Sequence, residues 1–116
     1  MDARNSIEKK IAPVVEIMEK HGQLGKMFSQ CFLNTVETTL SAEEDGTAFV
    51  ITGDIPAMWL RDSTAQVLHY LRFAQHKEVA DMVEDLLSRQ ADCILRDPYA
   101  NSFNREEISG SPHNRD

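Results

Sequence analysis

With 116 residues, 41% of them hydrophobic and 27% charged, the chain can bury one modest core and has the composition of an ordinary soluble globular protein. Nineteen Asp and Glu against twelve Lys and Arg give a formal net charge of -7, which argues against nucleic acid or an anionic membrane as the main partner and suits a neutral ligand. The amino-terminal MDARNSIEKKIAPVV lacks the unbroken apolar core of a signal peptide, and no stretch reaches the roughly 18 apolar residues of a membrane helix, so a cytoplasmic chain is expected.

Ile7, Ile11, Val14, Val15 and Met18 fall on one helical face, which Pro13 either kinks or shortens, and His21-Gly22 is a stop. Leu24, Met27, Phe28, Cys31, Phe32, Thr35, Val36 and Leu40 then follow helical spacing and predict an amphipathic helix of four turns. The polar SAEEDG run from Ser41 to Gly46 ends in a turn dipeptide, and TAFVIT, from Thr47 to Thr52, reads as a brief extended segment. Pro56 holds Ile55 extended. A helical pattern resumes at Leu60 and continues through Thr64, Val67, Leu68, Leu71 and Ala74 to a break at His76.

The clearest stripe follows: Val79, Met82, Val83, Leu86, Leu87, Gln90, Cys93 and Ile94, ended by Asp97-Pro98. From Tyr99 to Asp116 the sequence is rich in Asn, Ser and Gly and reads as loop. The expected order is helix, helix, short strand, helix, helix, long loop. A domain rarely ends in so long a loop, so either the end is disordered or the chain continues into a further helix, and the second is expected.

Cys31 and Cys93 lie beside apolar neighbours in helical patterns and read as buried thiols in a reducing compartment. His21 and His76 fall at helix breaks and read as exposed, His69 as core or surface, and His113 lies in the tail. None of these residues forms a cluster of metal spacing, so no metal or other cofactor is expected.

One segment is denser in chemistry than the rest: Asp54-Ile-Pro-Ala-Met-Trp59-Leu-Arg61-Asp62-Ser63. It sets an indole, a guanidinium and two carboxylates at a loop-to-helix junction. An indole face covers the apolar side of a pyranose, and charged groups take its hydroxyls in charge-assisted hydrogen bonds. Composition leaves a second account open, in which Asp62 or Ser63 caps a helix, Trp59 is a core aromatic and Arg61 pairs with a neighbouring carboxylate.

TGDIPAMWLRDSTAQV, with the later DPYANSFN from Asp97 to Asn104, resembles the signature of glycoside hydrolase family 125, the exo-α-1,6-mannosidases. The resemblance spans essentially the whole chain but only the first part of a family member. It implies an all-α fold, the amino-terminal portion of an (α/α)6 toroid, with residues 1–116 the first part of a single catalytic domain. It implies metal-independent, inverting release of terminal mannose from an α-mannoside oligosaccharide. The catalytic acid and base are expected later in the chain, so no catalytic residue is expected here.

On that resemblance Arg61 and Asp62 grip hydroxyls of the terminal mannose, Asp54 braces Arg61 or reaches a hydroxyl, and Trp59 forms pocket wall. Gln66, one turn beyond Asp62, either joins them or braces the helix. Tyr99, Asn101 and Asn104 line the same pocket or cap a neighbouring element. The alternative to an enzyme is a non-catalytic helical module for sugar binding or interaction, which would self-associate through uncovered apolar helix faces. A related toroidal glycosidase acting on glucosides fits the Arg-Asp pair but not DPYANSFN.

Overall fold

The computed structural model describes residues 2–106; His113 and the second half of the predicted tail loop lie outside that range. The described chain is mostly helical, as expected. Helix α1 (Asp2–Glu19) is one element that includes Pro13, so the proline does not shorten it. A short turn leads to α2 (Leu24–Asn34), which packs along α1 as a hairpin. Gly25 permits that approach: a Cβ there would lie 2.6 Å from Glu19 Cγ and 2.9 Å from the Val15 carbonyl oxygen.

The second helix is shorter than its apolar period suggests. After Asn34 the chain forms one π-helical turn, Thr35–Thr39, and then leaves the helix. Leu40 therefore begins a strand, β1 (Leu40–Ala42), which pairs antiparallel with β2 (Ala48–Val50) in the register Leu40↔Val50, Ser41↔Phe49 and Ala42↔Ala48. The polar run thus holds both strand and turn. Asp45 closes the turn by accepting from the Thr47 amide at 2.9 Å and the Thr47 hydroxyl at 2.6 Å, and these bonds hold its carboxyl below the usual range.

A second ladder joins β3 (Ala57–Trp59) to β4 (Ser102–Asn104), where continuous loop was expected. Helix α3 (Leu60–Val67) follows β3 directly and tightens into a 3₁₀ segment, Leu68–Phe73. Helix α4 (Lys77–Arg96) then packs against β2, α1 and the 3₁₀ segment. Three-residue strands carry too little hydrophobic pattern to announce themselves, and tertiary pairing decides them.

The core gathers Ile7 and Ile11 of α1, Leu33 and Val36, Phe49 and Val50 of β2, Met58, Tyr70, Val79, Met82, Leu86, Cys93 and Phe103. Tyr70 is fully buried and ties three segments: its hydroxyl donates to the Phe32 carbonyl at 2.6 Å and accepts from the Val36 amide at 3.3 Å. Burial raises its pKa. His69 stands edge-on to Phe32, so it is half-buried packing.

His76 departs from expectation, since its ring is half-buried with Nε2 enclosed. The predicted stripes are only partly covered. Val14 and Ile17 of α1, Leu24 and Met27 of α2, Leu68 and Leu71, and Leu87 and Ile94 of α4 remain exposed among the described residues.

Cys93 is buried as expected, but Cys31 is exposed, on a side of α2 that the described residues leave uncovered. Burial raises the Cys93 pKa from its ordinary 9.0. Its neutral thiol therefore stabilises the fold below that value, and the contribution is lost as pH rises through the raised pKa. Iodoacetamide at pH 8 will alkylate Cys31 freely and Cys93 at least about 100-fold more slowly until urea unfolds the chain. Equal rates, read by mass spectrometry, would contradict this burial.

Candidate functional site

The Arg-Asp pair sits at the start of α3, and its position is set from both sides. Gly53 adopts φ +118, a conformation that favours glycine, and turns the chain into Asp54. The Ala57 amide donates to the Ile55 carbonyl at 2.8 Å across Pro56, a tight turn that delivers the chain to β3. Strand β3 then runs into the helix without a break, with extended Trp59 as the flanking residue.

The ladder matters most here. Ala57 pairs with Asn104, Met58 with Phe103 and Trp59 with Ser102. The two segments singled out in the sequence, some forty residues apart, therefore lie side by side as neighbouring strands. Met58 and Phe103 are both buried beneath them. Trp59 and Asn104 are half-buried at opposite ends of the ladder.

Arg61 Nε donates to Asp62 Oδ1 at 3.1 Å, with the Arg61 side chain 90% exposed and that of Asp62 38% exposed. An ion pair between such exposed groups adds about 0–1 kcal/mol to stability. The pair thus presents donors and acceptors outward and is not a structural staple. Asp54 is also exposed, on the loop before β3. Pairing of Arg61 with its neighbour, one of the bland readings of the sequence, is present, but at the surface.

Gln66 takes the bracing role. Its Nε2 donates to the Ile51 carbonyl at 3.2 Å, which ties α3 to the end of β2. Its Oε1 is buried with no protein partner among the described residues. In the second loop Asp97 accepts from the Tyr99 amide at 3.0 Å, so it is a turn residue after α4. The Tyr99 ring is 93% exposed, and Asn101 is exposed beside it. The ladder thus sets Asn101 near the Trp59 end, where Arg61 and Asp62 follow on α3, and Asn104 at the Ala57 end, with Gln66 bracing α3.

Three residues that hold this arrangement were not among the site candidates read from the sequence. Arg89 is 6% exposed on α4. Its guanidinium bonds the Thr47 hydroxyl at 3.3 Å and the Arg105 carbonyl just beyond β4, and lies 5.0 Å from the Phe49 ring centroid. Arg105 covers the same ring at 4.9 Å and pairs with Glu43. Gln90, the next residue on α4, bonds the first turn of α3. Arg89 and Gln90 looked like ordinary members of a helix, because their partners are distant in sequence.

The ladder depends on what lies beneath it. Phe103→Ala will cost about 3–5 kcal/mol, as for other buried aromatics, and will raise amide exchange at residues 57–59 before it affects the α1–α2 hairpin. A loss below about 1 kcal/mol in urea denaturation would show that Phe103 does not anchor β4.

The comparisons with known proteins agree with this layout. The family described as metal-independent alpha-mannosidase, GH125, matches residues 21–116. The meiotically up-regulated gene 157 protein of Schizosaccharomyces pombe is 36% identical over 103 residues, covering 84% of this chain and 20% of that protein. A Streptococcus pneumoniae structure, from work on widely distributed metal-independent alpha mannosidases, was solved as a non-productive substrate complex with alpha-1,6-mannobiose. It superposes with a TM-score of 0.81 at 41% identity, over 89% of this chain and 24% of that one. The chain therefore spans a fifth to a quarter of the length of these relatives. With a match over most of its length, it belongs to glycoside hydrolase family 125, the metal-independent α-mannosidases.

Proposed function

We propose that this chain supplies the sugar-gripping wall of an exo-α-1,6-mannosidase, and that it forms the first part of a single catalytic domain. The observation that carries the reading is the β3–β4 ladder, which sets the WLRD turn beside the DPYANSFN loop. In this reading Arg61 offers its guanidinium fork, and Asp62 its carboxylate oxygens, to hydroxyls of the terminal mannose. Trp59 contributes wall, Asp54 reaches a hydroxyl or braces Arg61, and Asn101, Asn104 and Tyr99 come from the facing loop. Gln66 keeps the helix in place from behind.

The α1–α2 and α3–α4 hairpins are the first pairs of an (α/α)6 ring. Their uncovered residues, among them Ile17, Met27, Leu68 and Leu87, are faces that further helices would cover. An inverting mechanism needs an acid on the leaving oxygen and a base on water, roughly 6.5–9.5 Å apart. Those two carboxyls come from the remainder of a family-length protein. The chain by itself holds sugar without cleaving it, and no metal enters the chemistry.

The test is a protein that carries this chain at the start of a complete family-length domain. Arg61→Ala and Asp62→Ala will each lower kcat/KM on an α-1,6-mannobioside by about 100-fold or more, near 3 kcal/mol of transition-state stabilisation. Their unfolding midpoints will stay close to wild type, because the pair is exposed. Unchanged kcat/KM in both variants, or faster cleavage of α-glucosides than α-mannosides, would refute the reading.

A further inference from the structure

We infer that Gln90 is a positioning residue for the sugar-gripping turn, acting through Leu60, Ser63 and Thr64 without touching the sugar. The inference rests on the assignment of Arg61 and Asp62 to substrate. Helix α3 is eight residues long and has no side-chain hydrogen bond at its amino-terminal cap. A helix that short is marginal by itself, so something outside it must hold its first turn.

That hold is a polar knot. Ser63 Oγ donates to the Leu60 carbonyl at 3.2 Å, and Thr64 Oγ1 donates to the same oxygen at 2.8 Å. Each hydroxyl has then used its one hydrogen and keeps lone pairs to accept with. Gln90 Nε2 lies 2.9 Å from both hydroxyl oxygens and 3.3 Å from the Leu60 oxygen. Two amide hydrogens meet two hydroxyl acceptors at good distance, with the carbonyl as a weaker third contact.

Helix geometry gives the knot its consequence. Residues 60, 63 and 64 share one face by i, i+3, i+4 spacing, and 61 and 62 project from the other side. Ser63 is 0% exposed, whereas the Arg61 side chain is 90% exposed. Fixing the inner face therefore fixes the rotation of the turn about its axis, and with it the direction in which Arg61 and Asp62 point. The neighbouring Arg89 grips the backbone just past β4. Consecutive residues of α4 thus set the two sides of the same site.

The donors matter, and not only the volume, so shape and chemistry can be separated. Gln90→Met keeps the size and removes the donors; Gln90→Lys keeps donors. Amide shifts of Arg61 and Asp62 in a titration with α-1,6-mannobiose will show binding weakened about tenfold in Gln90→Met and largely restored in Gln90→Lys. Amide exchange at Thr64 and Ala65, measured without sugar, will rise about tenfold in the Met variant alone, with the α1–α2 hairpin unchanged. Binding within twofold of wild type in Gln90→Met, while Arg61→Ala abolishes it, overturns the role of Gln90 and leaves the sugar reading standing. If Arg61→Ala binds as wild type, the sugar reading falls. The exchange arm decides the knot in either case: unchanged exchange at Thr64 and Ala65 overturns it.

Discussion

Three pairs of backbone residues bring the two sequence motifs of this chain together. Ala57, Met58 and Trp59 lie against Asn104, Phe103 and Ser102, and the strand on one side runs directly into the helix that carries Arg61 and Asp62. Without this pairing the segment after α4 would be a surface loop, and the Arg-Asp turn would stand alone. A two-stranded ladder is marginal in water, so its stability must come from elsewhere. Met58 and Phe103 supply it by burial, and Arg89 supplies it by holding the chain just beyond β4.

The same logic runs through the rest of the molecule. Phe49 is fully buried on β2 and covered by two guanidinium groups, which join the first hairpin to α4 and to the end of β4. Tyr70 joins α3's extension to α2 and the π-helical turn by its hydroxyl. Gln66 and Gln90 fasten α3 from two directions. Asp54 and Arg61 are exposed, whereas Phe49, Tyr70 and Arg89, which tie the surrounding elements together, are buried.

Helices were legible where periodicity was long: α1 and α4 follow their apolar stripes, and the stop at Asp97-Pro98 is where α4 ends. The family was legible too, through the resemblance carried by TGDIPAMWLRDSTAQV and DPYANSFN, which the match over residues 21–116 bears out. The strands were not. Leu40 fits the helical period of α2 yet belongs to β1, since β2 offers a backbone ladder and a buried place beside Val50. DPYANSFN looked like loop because SFN has no alternation long enough to read, and its partner lies far back in the chain. Cys31 looked buried for the same reason that Cys93 is: apolar neighbours in sequence. Only the packing of α2 on α1 tells which side is covered. Arg89 and Gln90 could not have been singled out, because nothing local marks a residue whose partners lie on other elements, 16 to 42 positions away.

The most direct measurement is a nuclear Overhauser spectrum of the chain in solution across the second ladder. Cross-strand contacts between Met58 and Phe103, and between the backbones of Ala57 and Asn104 and of Trp59 and Ser102, are the result this structure requires. Random-coil shifts at residues 102–104, with no contact to 57–59, would contradict it and separate the two halves of the site.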